Sequence, residues 1–93
     1  MAQVEKVENV SFPNPKDGYL KTLEILPELG MDIWKTREIA NLILARKKKK
    51  DHQIQCNIIF NLNNTVSITL ESEQENEVDL QSLAEQIFNA IAT

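Results

Sequence analysis

Gln53-Ile54-Gln55-Cys56-Asn57-Ile58-Ile59-Phe60-Asn61-Leu62, then Asn63-Asn64, then Thr65-Val66-Ser67-Ile68-Thr69-Leu70, is the stretch that decides the fold. Apolar residues hold the even positions from Ile54 to Leu62, and again at Val66, Ile68 and Leu70. The odd positions carry Gln, Asn, Thr and Ser, with Ile59 the one exception. Period-two alternation broken by an Asn pair predicts a β-hairpin over about 53–71 with one buried face. Opposed residues of an antiparallel pair share a face. A two-residue loop would set Val66 against Asn61 and mix the faces, so the loop must contain an odd number of residues. Either Leu62 or Phe60 then pairs with Val66. Asn63 or Asn64 supplies the left-handed residue, which Asn tolerates and the β-branched Thr65 does not.

Working outward, residues 4–12 offer a third strand, with Val10 and Phe12 on one face, although Val4 and Val7 break the alternation. Pro13 to Gly18 reads as a loop. Leu20, Leu23 and Leu26 fall at helical spacing, which predicts a helix over about 19–27 with Asp17 as its cap. Pro27 either kinks that helix or opens the next. Residues 32–49 are expected to form the main helix, with Leu29, Ile33, Ala40, Ile43 and Leu44 as one apolar stripe. Trp34, Leu42 and Ala45 would face the other way, so this helix is expected to be buried on two sides. A closing helix over about 78–92 carries Leu80, Leu83, Ala84, Ile87, Phe88 and Ile91 on its apolar face. Asp79 or Glu77 sits where negative charge favours a helix start. The fold class is α+β, with helices packed on one face of a small antiparallel sheet.

At 93 residues the chain is a single domain, residues 1–93, large enough to bury a core. Its 42% hydrophobic and 26% charged content is that of a globular protein. No apolar run approaches the ~20 residues that span a bilayer. The start, Met-Ala-Gln-Val-Glu-Lys, lacks the pattern of a signal peptide. One cysteine makes no internal disulfide, so a cytoplasmic protein is expected. A net charge of −4 argues against broad nucleic-acid binding.

No catalytic or cofactor set assembles from the residue types. His52 and Cys56 are the only residues of their kinds. A zinc site wants three or four ligands, and a Cys nucleophile wants a base held by a third group. Cys56 falls in the apolar row and reads as a small buried hydrophobe; His52 reads as solvated. The acidic run Glu71, Glu73, Glu75, Glu77, Asp79 lacks the pattern of a calcium loop. Neither Gly18 nor Gly30 belongs to a phosphate loop. No catalytic, cofactor-binding or metal residues are therefore predicted, and no cofactor.

Two features invite a binding role. Arg46, Lys47, Lys48, Lys49 and Lys50 are candidate anion contacts, for nucleic acid above all. The hairpin brings that basic run near the acidic one, so the charges partly cancel, and no aromatic is interleaved for base stacking. Nucleic acid is the weaker reading. The second feature is the absence of charge from Gln53 to Leu70. An exposed edge is normally guarded by Lys, Pro or a bulge. Either the N-terminal strand and another element cover the hairpin's edges, or an edge pairs with another chain. Candidate interface residues are Gln53, Gln55 and Asn57 on the first strand and Thr65, Ser67 and Thr69 on the second. Trp34 and Leu42 join them from the second face of the main helix, where Trp34 is either core or an interface anchor.

Val4 to Glu8 before a Pro-rich loop, a leucine-bearing helical region, Leu42 to Lys47 ending in cations, the hairpin and a last helix together make a layout. It resembles the small effector-associated constant component domains. Those are encoded beside caspase-like or trypsin-like peptidases and NTPases in bacterial conflict systems. The resemblance lies in layout, transfers no site residues and implies an accessory, non-enzymatic partner. Asp51-His52, Val66 to Leu70 and the closing helix are also similar to the end of pterin carbinolamine dehydratases. That family carries a His-His-Pro motif and a later His. Here Gln53 and Ile54 follow His52, and Ser72 and Glu73 follow the strand, so this resemblance implies a degenerate protein without activity. The expectation is a small non-enzymatic interaction or accessory module, self-associating or bound to a larger effector protein.

Overall fold

Alternation governs more of this chain than the hairpin alone. The computed structural model describes residues 2–93. It contains β1 (Ala2–Asn9), α1 (Pro15–Glu28), β2 (Asp32–Arg37), a 3-10 turn (Glu38–Ala40), β3 (Leu42–Lys48), β4 (Gln53–Phe60), β5 (Thr65–Ser72) and α2 (Glu77–Ala92). The five strands form one antiparallel sheet in the order β1-β5-β4-β3-β2. This is an α+β fold. Both helices lie on one face, α2 against β1 and β5, and α1 against β2, β3 and β4.

The hairpin is the centre of the sheet. Phe60 stands opposite Val66, the Asn61 amide donates to the Thr65 carbonyl, and Asn64 has φ 65°. The odd loop and its left-handed Asn are as the register argument requires. Ile54, Cys56, Ile58, Phe60, Val66, Ile68 and Leu70 are buried under the helices. Leu62 leaves that row: it lies in the loop and is 93% exposed. The strand at residues 4–12 is β1, which begins earlier and ends at Asn9. Val4 and Val7 broke the alternation because they serve opposite faces, Val4 buried and Val7 exposed.

The main helix over 32–49 does not exist. Those residues are β2, the 3-10 turn and β3. Ile43 and Ala45 face the core, while Leu42 and Leu44 sit half-buried on the opposite face of the same strand. A short strand apolar on both faces shows no alternation and mimics a helix. Ala45 therefore packs inward, and Trp34 is not core beneath α1 but 45% exposed on the far face. Asn41, at φ 51°, turns the chain between the 3-10 turn and β3.

The expected first helix is α1, with other details. Asn14 caps it, accepting from the Asp17 amide at 3.1 Å, so Asp17 is a first-turn residue and not the cap. Gly18, Tyr19, Thr22 and Leu26 are its buried residues, while Leu20 is exposed and Leu23 partly buried. Thr22 fits there because its hydroxyl donates to the Gly18 carbonyl at 2.8 Å. Gly18 sits where Phe60 comes close: a Cβ there would lie 2.4 Å from Phe60 Cε2. Phe60 also meets Phe12 edge-on, ring centres 5.9 Å apart. Pro27 stands in the last turn and starts no second helix. The chain reverses at Gly30, φ 79°, where only glycine is unstrained.

The closing helix is α2, and its predicted apolar stripe packs against the sheet, with Phe88 partly buried. Asn76 is the cap and accepts from the Asp79 amide at 2.8 Å, and Glu77 and Asp79 stand in the first turn, where negative charge is expected. Lys6 ties β1 to this helix, 2.6 Å from Glu85 and 3.1 Å from Glu8, with its ammonium 5.4 Å from the Phe88 ring centre. No helix among the described residues is long and apolar enough to cross a membrane.

Candidate functional site

With both helices on one side, no element among the described residues covers the other side of the sheet. Strand alternation and the pairing register lay it out in rows running from β1 across to β2. One row is Val7, Ser67, Ile59, Leu42 and Arg37. The next is Glu5, Thr69, Asn57, Leu44 and Lys35. The third is Gln3, Glu71, Gln55, Arg46 and Asp32. A bulge between Ile33 and Lys35 inserts Trp34 beside the third row, and the Arg46 guanidinium lies 4.9 Å from the Trp34 ring centre.

The candidate interface residues thus share one surface. Gln53, Gln55, Asn57, Thr65, Ser67 and Thr69 arrive from the central strands, Leu42 from β3 and Trp34 from β2. β4 and β5 are inner strands: the N-terminal strand and β3 cover the hairpin's edges, so neither edge is free to pair with another chain. The absence of charge from Gln53 to Leu70 follows from that central position. The actual edges are guarded, β1 by Glu5, Lys6 and Glu8, and β2 by Asp32, Lys35, Arg37 and its bulge.

The basic run is divided by the same alternation. Arg46 and Lys48 fall on the helix-free face. Lys47 points to the helix side and donates to the Leu29 carbonyl at 3.3 Å. Lys49 and Lys50 lie in the β3–β4 turn, where the Lys49 amide donates to the His52 carbonyl. Lys47 and Lys49 share a cleft with Glu75 and Asp79. Five consecutive cations therefore form no single phosphate-gripping patch.

His52 is not solvated as expected. Its side chain is 14% exposed and is held between two carboxylates. Nδ1 lies 2.7 Å from Asp51 Oδ1, and the buried Nε2 lies 3.3 Å from Glu75 Oε2. The hydrogen bond to Asp51 raises the imidazole pKa above its ordinary value of 6.5; burial opposes this and Glu75 adds to it. Asp51 is lowered in return, chiefly by its hydrogen bond to His52. The ring clips the β3–β4 turn to the loop before α2. Ser72, in the adjoining cleft, spends its hydroxyl on the Gln53 carbonyl and on the amides of Gln74 and Glu75, all at 3.3 Å. Cys56 is fully buried, and burial pushes its thiol up to about 12. Among the described residues no three His, Cys, Asp or Glu side chains converge to hold a metal ion.

Comparison with protein-family models and with curated proteins finds no match for this chain.

Proposed function

We propose that this chain is a small non-enzymatic interaction module that binds another protein molecule through the helix-free face of its sheet. The observation that carries the reading is Trp34, 45% exposed with Arg46 stacked on it, beside the half-buried Leu42, Leu44 and Ile59. Trp and Arg are the residues that most often dominate binding energy. Around them the Gln, Asn, Ser and Thr side chains of β4 and β5 supply hydrogen-bonding groups without the desolvation cost of buried charge. The accessory role implied by the layout resemblance is carried into this proposal, which rests on the face and not on the layout.

Photo-cross-linking in the cells that make the protein tests it. A photoreactive residue in place of Thr69, on the face, is expected to give a discrete cross-linked product. The same residue in place of the exposed Gln86, on α2, is expected to give none. Absence of a product from Thr69, or equal products from both positions, would contradict the reading.

A further inference from the structure

The helix-free face is electrically lopsided, and the lopsidedness selects a partner. Its β1 and β5 side carries Glu5 and Glu71. Its β2 and β3 side carries Lys35, Arg37, Arg46 and Lys48, offset only by Asp32. β4, uncharged throughout, is the middle strand of five and lies between them. We infer that the partner of this face is a second copy of the same chain, packed sheet on sheet about a two-fold axis that runs parallel to the strands over β4.

The geometry follows from the register. Such an axis lays β1 of one copy over β2 of the other, and β5 over β3, while keeping each row on its own row. Glu5 then faces Lys35 and Glu71 faces Arg46, and the two-fold makes every such pair twice. Ser67 meets Leu42, and at the centre Ile59 meets Ile59 and Asn57 meets Asn57. A two-fold axis across the strands would instead set Glu5 over Glu5 and Lys35 over Lys35, and like charges in contact are unfavourable. Packed sheets cross at roughly 30°, a twist that the long Lys, Arg and Glu side chains at the sheet's margins can follow. The area suffices for a weak dimer. Five strands about 4.8 Å apart and some six residues long present roughly 500 Å² per copy, or about 1,000 Å² in all, at the lower end for a specific interface.

This inference rests on the proposed function, since it names the occupant of the same face. Two charge-reversed variants test it, read by light scattering at high protein concentration. Glu5→Lys sets like charges opposite both copies of Lys35, and Lys35→Glu sets like charges opposite both copies of Glu5. Both sites are exposed and avoid the core. Wild type is expected to dimerise, each variant alone to stay monomeric, and an equimolar mixture to recover the dimer mass. That recovery shows both variants are folded. The inference is overturned if wild type stays monomeric, if either variant dimerises alone as well as wild type, or if the mixture stays monomeric. It is also overturned if the dimer is lost instead through Ile39→Asp with Leu62→Asp, at the exposed loop tips away from the face. A monomeric wild type that still cross-links from Thr69 to a different chain sinks the self-pairing alone, whereas no cross-link at all sinks the interaction surface with it.

Discussion

Gly18 shows how one residue links a helix to the hairpin. Its missing side chain lets the ring of Phe60 lie against α1, with Phe12 closing the far side. A methyl group there would meet Phe60 at 2.4 Å and 2.6 Å and Phe12 at 3.0 Å, so the Phe60 ring would have to shift. Gly18→Ala is expected to cost about 1–3 kcal/mol as an overpacked core. A urea midpoint unchanged from wild type would contradict that. His52 makes a second prediction. Its folded pKa is raised above the unfolded 6.5, so the clip's stabilisation is complete below about 6.5 and is lost as pH rises through the folded value. His52→Gln should flatten the stability profile in that window, and should make the acid side shallower too, because Asp51 loses the imidazolium that holds its carboxyl down. Thermal melts across the neutral range would read this, and a wild-type profile flat there would refute it. In the sequence His52 stood beside a lysine run and looked solvated. The contact with Glu75 depends on the end of β5 returning to the start of β4, and spacing alone does not carry that.

At the scale of elements, the legible parts were those with one wet and one dry face. β4, β5 and α2 each show a period, so their buried rows could be read closely, with Ile59 and Leu62 the departures and the loop bounds left open between two choices. β3 could not, because Ile43 and Ala45 enter the core while Leu42 and Leu44 cover the other face. Four residues apolar on both sides, Leu42 to Ala45, carry no period, and the basic tail then looked like a helix end. The caps were missed for a related reason. Glu77 and Asp79 do mark the start of α2 and Asp17 the first turn of α1, but the groups that accept the free amides are Asn14 and Asn76, just outside the acidic turns. Asn76→Ala should lower stability by about 1 kcal/mol, measured by denaturant unfolding, with Asp79→Asn costing less. The reverse order would place the helix start elsewhere.

For the whole molecule, the decisive fact is that both helices fall on one side of a five-stranded sheet. Gln55, Asn57, Ser67 and Thr69 were identifiable as one face from their alternation. Glu5, Lys35, Arg37 and Glu71, which give that face its polarity, were not, because their placement needs the order of strands β1 and β2 relative to the hairpin. Interior strands need no guarding charge, and the edge strands carry it, so the charge-free hairpin reports on sheet topology. The same topology leaves the exposed Trp34 with Arg46 stacked on it and no element among the described residues above them. The most direct measurement is the solution mass of the wild-type chain by light scattering across a concentration series. A two-fold pairing of a single face closes on itself, so the mass is expected to rise with concentration to twice that of one chain and no further. A mass that stays at one chain throughout, or climbs past two, would contradict it.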